Sequence, residues 1–180
     1  MLKIVAMAKI LSEKIAYQTP HVKVIDLEIS FAKKRSVYQI VQKNDSVMLI
    51  PVLENGKLIL IKEYSAAANS YLLTFPKGRV ETGEKPEITI VRELQEEAGY
   101  KPGKIKLLTS LLVSPGYLRQ KTYIYLCTNL TKSRLQGDVG EQPEVKTFTF
   151  KEVDDLIKQG KIQEARIIAA FYLARNIYSK

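Results

Sequence analysis

The stretch from Gly78 to Tyr100, GRVETGEKPEITIVRELQEEAGY, limits what the rest of the chain can be. It predicts a loop feeding a short helix that ends at Gly99. Pro86 suits the first helical turn, because its missing N–H would have no intrahelical partner there. Gly99 suits the left-handed position just past a helix end. On a 3.6-residue period, Ile90, Val91, Leu94 and Ala98 fall together and predict a buried face. Glu93, Glu96 and Glu97 fall together on a different face. That stripe is unfavourable as plain structure: like charges at i,i+4 repel by about 0.2–0.5 kcal/mol. Glu96 and Glu97 also occupy the last turn, where the helix dipole disfavours anions. Arg92 can offset one of them, and the remaining charge requires a cation. Hard divalent cations take carboxylate oxygens, and Mg²⁺ takes phosphate oxygens as well. The local physics therefore predicts a metal held by a glutamate stripe, with a phosphorylated substrate supplying further ligands.

Gly78, Glu84, Arg92, Glu93, Leu94, Glu96, Glu97 and Gly99 match the Nudix box, G-x5-E-x7-R-E-U-x-E-E-x-G-U, where U is a bulky aliphatic. Only the last position departs, being Tyr100. The chain thus resembles the Nudix hydrolases, which are mostly Mg²⁺-dependent and cleave a nucleoside diphosphate linked to another group. The resemblance implies an α+β fold, an α/β/α sandwich around a mixed central sheet. It implies Mg²⁺ as cofactor, with Mn²⁺ as a substitute, bound by Glu93, Glu97, Glu96 and the backbone carbonyl of Lys77 just before the box glycine. Gly78 lets the backbone approach closely. In related hydrolases the polar loop Gln136–Val145 supplies an acid, for which Glu141 is the first choice here and Asp138 the second; a solvated acidic loop is the plain alternative. Glu141 or Glu96 would take the proton of the attacking water. Arg92 is expected to hold Glu93 by a bidentate pair, and Glu84 to steady the loop.

Composition sets the outer bounds. The 180 residues are 46% hydrophobic, enough for one domain with a full core and a small appendage. The single cysteine, Cys127, excludes an internal disulfide framework and reads as a small core residue. No apolar run reaches the about 18 residues of a membrane span, and lysines interrupt the apolar N-terminus, which reads as part of the fold rather than a signal peptide. A cytoplasmic location follows as the expectation. The net charge of +9 comes from 28 basic and 19 acidic residues. These lysines are scattered apart from Lys33-Lys34-Arg35, so an anionic substrate or solvated faces explain the charge better than nucleic acid does. The sole histidine, His21, lies outside the box and reads as structural.

Residues 1–46 hold short alternating runs, Val22–Ile29 and Val37–Val41, separated by a polar turn at Ala32–Ser36. They predict a small antiparallel β arm that cannot bury its own core. Residues 47–180 form the main domain. Within it, Asn55-Gly56 between Val47–Leu53 and Leu58–Ile61 predicts a hairpin. Tyr71–Gly78 predicts a strand running into the box loop. Lys104–Val113, Lys121–Cys127 and Lys146–Phe150 predict further strands. Glu152–Gln159 and Gln163–Tyr178 predict amphipathic helices, the first stopped by Gly160.

Pro115, sixteen residues beyond Gly99, is similar to the marker of ADP-ribose pyrophosphatases and related ADP-compound hydrolases; a plain Pro-Gly turn is the alternative. Other positions usual in that branch are occupied here by Ser65, Thr74 and Gln120, departures that put strict ADP-ribose specificity in doubt. The closer likeness is to the subgroup acting on several ADP compounds, through Glu63-Tyr64, Tyr71, Lys77-Gly78 and Glu164-Ala165-Arg166. In that branch the arm helps form a homodimer; an arm folded back on its own domain is the plain alternative. The resemblance implies an ADP-containing small-molecule substrate such as ADP-ribose, NADH or a diadenosine polyphosphate, with AMP released. Tyr64, Tyr71 and Tyr117 are candidates to stack on adenine, with Gly78, Pro115 and Arg79 near the substrate and Arg119 a further phosphate candidate. Hydrolysis of another nucleotide sugar or of capped RNA, and a non-catalytic nucleotide-binding module, are the competing readings. Three clustered acids argue against the last.

Overall fold

Strands dominate the computed structural model, which describes residues 8–32, 34–137 and 142–178. The chain divides into two compact units. One is the chain up to Asn44 with Leu112–Lys121, and the other is Asp45–Leu111 with Thr122 onward.

The first unit is a sheet in the order β1 (Lys9–Gln18), β2 (Lys23–Phe31), β3 (Lys34–Gln42) and a short strand, β9 (Leu118–Arg119). The first three pair antiparallel, and β9 joins β3 in parallel. Strand β1 was not anticipated as a strand: lysines and a glutamate break its apolar alternation, and all ten of its residues are exposed. The expected turn at 32–36 is tighter in the structure, with Ala32 at φ +54° and β3 beginning at Lys34. Arg119 donates to both carboxylate oxygens of Glu13 at 2.8 and 3.1 Å and to Gln42 at 3.2 Å, tying β9 to β1 and β3. His21 sits in the Thr19–Val22 turn, its backbone N–H donating to the Thr19 hydroxyl.

The second unit is built on β4 (Ser46–Pro51), buried along its whole length. It pairs antiparallel with β7 (Lys77–Arg79) and parallel with β10 (Lys121–Lys132), and β8 (Tyr100–Leu112) lies beyond β10. A second sheet has β5 (Leu58–Ser65) between β11 (Glu144–Phe148) and β6 (Ser70–Thr74), all antiparallel. Alternation divides the core in two. Met48, Ile50, Leu58, Leu60, Ile124 and Leu126 face α2 (Phe150–Lys158) and α3 (Ala165–Tyr178) through Val153, Ile167, Ala170 and Phe171. Val47, Leu49, Ile59, Tyr125 and Cys127 face α1 (Pro86–Glu93) and the turn that follows it through Ile90, Leu94 and Ala98. This is the layered α+β arrangement with a mixed sheet expected from the sequence. Burial pushes the Cys127 thiol up to about 12, in keeping with a core residue.

The predicted hairpin at Asn55-Gly56 needs correction. The turn is present, with Gly56 at φ +75° and the Leu53 N–H bonded to the Lys57 carbonyl, but the flanking runs share only the Val52–Leu58 bridge. Beyond it they part into different sheets, because each run is apolar on both faces and is buried by separate neighbours.

Candidate active site

The box helix starts as predicted at Pro86, but its last turn, Leu94–Ala98, is wound as a π-helix. Such wide turns recur at functional sites. The turn ends on Gly99 at φ +76°, whose N–H bonds the Leu94 carbonyl. Ile90, Leu94 and Ala98 are buried, as are Thr89 and Gln95.

The acidic face meets the β6–β7 segment. The Lys77 backbone N–H donates to Glu97 Oε2 at 2.9 Å. Gly78 lies against Glu93 so closely that a Cβ at position 78 would overlap the Glu93 carboxylate. Arg92 binds the Glu84 carboxylate at 3.2 and 3.3 Å, donates to Glu93 at 2.6 Å and to Glu96 at 3.4 Å, and reaches the Arg79 carbonyl at 3.3 Å. The sequence expectation gave the bidentate pair to Glu93. The fork instead grips Glu84, because the neighbouring side chain offers Arg92 only one oxygen. Glu84 also accepts from the Thr89 hydroxyl at 2.8 Å and the Glu81 N–H at 3.2 Å, which locks the box loop to the helix.

The electrostatics separate these acids. Burial raises the Glu84 carboxyl, but Arg92, Thr89 and the Glu81 N–H outweigh it and hold Glu84 below its ordinary value. Burial pushes Glu93 up to about 7 against the pull of Arg92. Burial pushes Glu97 up to about 8 against the charge and N–H of Lys77. Burial works against the Arg92 guanidinium too, but Glu84 and Glu93 win and raise it, so it stays charged. Glu93 and Glu97 are therefore carboxylates short of positive charge in a dry setting. Among the described residues, no group of three or more acids, His or Cys forms a ready-made metal cage. The donor set suits a hard divalent ion that leaves several positions to water and phosphate.

Two cavities meet at Glu97. The smaller, about 190 Å³, is lined by Arg92, Glu93, Glu96, Glu97, Gly137, Gln142 and Pro143. The larger, about 610 Å³, is lined by Glu97, Lys62, Glu63, Tyr64, Tyr71, Gln142 and Pro143. Tyr64 and Tyr71, each 51% exposed, stand edge to face with ring centres 5.5 Å apart. The Lys62 ammonium lies 5.4 Å from the Tyr71 ring centre, and the Tyr64 hydroxyl donates to Asn69 at 2.6 Å.

The structure thus brings together Glu93, Glu96, Glu97, Arg92, Lys77, Gly78, Tyr64 and Tyr71. Arg79 lies on β7 with its guanidinium on Glu81 at 2.7 and 2.9 Å. Pro115 and Tyr117 belong to the Ser114–Tyr117 turn of the other unit, and Arg119 is engaged by Glu13 there. Glu141 and Asp138 lie outside the described residues. Sequence reasoning gave Glu63 no role, yet it lines the larger cavity and pairs with the Lys77 ammonium. The signal was available: Glu63 continues the Ile59, Ile61 face of β5, the face Ile59 turns to the box helix.

The NUDIX domain family matches residues 42–171. The chain is 33% identical over 155 residues to ADP compounds hydrolase NudE of Escherichia coli strain K12, covering 84% of this chain and 82% of the relative. It is 29% identical over 150 residues to the ADP-ribose pyrophosphatase of Bacillus subtilis strain 168, covering 80% and 81% respectively. A crystal structure of an ADP compounds hydrolase superposes with a TM-score of 0.89 at 28% identity, over 99% of this chain and 97% of that one. Nudix hydrolases in general use divalent metal ions, which accords with the donor set around Glu93 and Glu97. With its box acids gathered on one helix end against Lys77 and Gly78, the chain belongs to the Nudix family.

Proposed function

We propose that this chain is a pyrophosphatase that hydrolyses the diphosphate bond of ADP-ribose and related ADP compounds, NADH and diadenosine polyphosphates among them, and releases AMP. The observation that carries the reading is the junction at Glu97. There a carboxylate set short of positive charge opens into a cavity of about 610 Å³ walled by an aromatic pair. The names of the relatives, ADP-ribose pyrophosphatase and ADP compounds hydrolase, support the substrate class.

Water attacks one phosphorus, the bond from that phosphorus to the bridging oxygen breaks, and ADP-ribose gives AMP and ribose 5-phosphate. Glu93, Glu97, Glu96 and the Lys77 carbonyl would hold Mg²⁺, or Mn²⁺ in its place, which would supply charge neutralisation of the diphosphate and a more acidic water. Arg92, anchored on Glu84, keeps Glu93 and Glu96 in position. Glu96 or Glu141 accepts the proton of the attacking water. Gly78 admits the substrate close to the backbone, and Arg79 adds a further substrate contact. Tyr64 and Tyr71 stack on the base, a contribution of about 1–3 kcal/mol per base.

A panel of ADP-ribose, NADH, diadenosine polyphosphates, GDP-mannose and capped RNA, incubated with Mg²⁺ and scored for products, tests the reading. ADP compounds should yield AMP at rates at least about tenfold above the others, a gap of about 1.4 kcal/mol. Preferential cleavage of GDP-mannose or capped RNA would replace the substrate assignment, and binding without turnover would replace the enzyme.

The arm is proposed to mediate a homodimer, and the location to be the cytoplasm. On one face of the first unit's sheet the register gathers the exposed side chains Ile10, Ile15 and Tyr38, apolar surface of the kind that marks interaction sites. Light scattering should report a dimer for the full chain, and dissociation or misfolding when residues 1–44 are removed. A well-folded dimer surviving the cut would reject the role of the arm. Among the described residues, no helix is long and apolar enough to cross a membrane.

A further inference from the structure

Lys77 is used twice. Its backbone N–H holds Glu97 at 2.9 Å, which fixes the residue beside the acidic face. Its ammonium pairs with Glu63, and both side chains are mostly buried, 22% and 30% exposed. Glu63 and Glu97 line the same cavity. A lysine ammonium is a compact charge on a long flexible stem with three rotatable donors, able to change partners without moving its backbone. A partly buried pair of this kind does little for stability, since desolvation offsets much of its attraction. Both acids that Lys77 engages, Glu63 and Glu97, line the larger cavity, which suggests another use.

We propose that the Lys77 side chain is a diphosphate-binding group held in reserve by Glu63. In the free protein, Glu63 neutralises the ammonium and holds it beside the cavity that Glu63 itself lines. When a diphosphate enters beside Glu97, the ammonium leaves Glu63 for a phosphate oxygen, and Glu63 returns to the solvent-facing side of the cavity. No covalent bond changes; one ion pair is exchanged for another. Two consequences follow. The phosphate gains a charge-assisted hydrogen bond, and part of its binding energy is spent on breaking the Lys77–Glu63 pair. Glu63 thus competes with the substrate for the same cation, which weakens binding of any diphosphate whatever group it carries. The inference rests on the reading of this cavity as a diphosphate site, but not on which diphosphate it receives.

The competition gives the two partners opposite signs, which a structural ion pair does not. Lys77→Gln and Glu63→Gln are titrated by calorimetry with inorganic pyrophosphate and with an ADP-ribose analogue carrying a methylene bridge between its phosphorus atoms, both in the presence of Mg²⁺. Lys77→Gln should weaken both ligands about tenfold or more, and Glu63→Gln should tighten both severalfold. Thermal melts of the ligand-free variants show that each is folded. Shifts of the same sign in the two variants, or no shift in either, would overturn the exchange and leave the pair a structural contact. If pyrophosphate shows the opposed shifts but wild-type protein does not bind the ADP-ribose analogue, the role of Lys77 stands and the ADP-ribose assignment falls.

Discussion

Replacing Glu97 by glutamine is expected to cut turnover by about 10²-fold or more, the scale on which losing one preorganised electrostatic group acts. The fold should remain intact. Glutamine keeps the size of the side chain and an oxygen that can accept from the Lys77 N–H, so the β7 contact survives. What is lost is the charge that the substrate's counter-ion requires. The metal-free protein should become more stable, not less. Burial pushes Glu97 up to about 8, against an ordinary 4.5, so between those values the folded chain holds a proton that the unfolded chain has released. Folded stability therefore falls as pH rises through that window. Glutamine removes this part of the slope, while Glu93, raised to about 7, retains its own. Melts in EDTA at pH 5 and pH 9 should show variant and wild type together at the lower pH and the variant higher by a few degrees at the upper. Turnover near wild type would remove Glu97 from the metal site. Melts that fall equally with pH would show that its carboxylate is not strained by burial.

The box, the helix and the layered core were legible because each is written in local pattern. Pro86 and Gly99 mark the ends of one helical segment, and the central strands β4 and β5 show short continuous apolar runs. What stayed hidden depends on partners far along the chain. Asn55-Gly56 fixes a turn, but whether its flanks pair is decided by β10 and β11, whose partner residues lie 76 to 90 positions further along the chain. Strand β1 carries too many charges to announce itself, and it is specified by its register with β2. The choice of Glu84 over Glu93 as the forked partner of Arg92 turns on the loop geometry that Thr89 and the Glu81 N–H impose. The π-wound turn could not be read from a 3.6-residue period at all, because the same stripe of glutamates satisfies either winding locally. Glu63 was the one omission with a usable sign, a charge continuing an inward face.

Gly78→Ala should separate activity from stability in the same site. Gly78 does not need its glycine for backbone conformation, since its φ is not positive. It needs the missing side chain, because a Cβ there would overlap the outer atoms of Glu93. Those atoms are the mobile end of a flexible chain, so the clash is relieved by swinging the carboxylate away rather than by deforming the strand. That movement breaks the 2.6 Å bond from Arg92 and takes Glu93 out of line with Glu97. A misplacement of about 1 Å at a reacting centre costs about 10²-fold in rate. The melting temperature should change by no more than a few degrees, because the buried neighbours Val47, Ile90 and Leu94 keep their packing. Paired measurement of kcat and thermal melting decides the matter. A large loss of stability would mean that the alanine is accommodated by the backbone and not by Glu93. An active, stable variant would mean that the chemistry does not depend on where the Glu93 carboxylate sits, and the metal assignment would then have to rest on Glu96 and Glu97 alone.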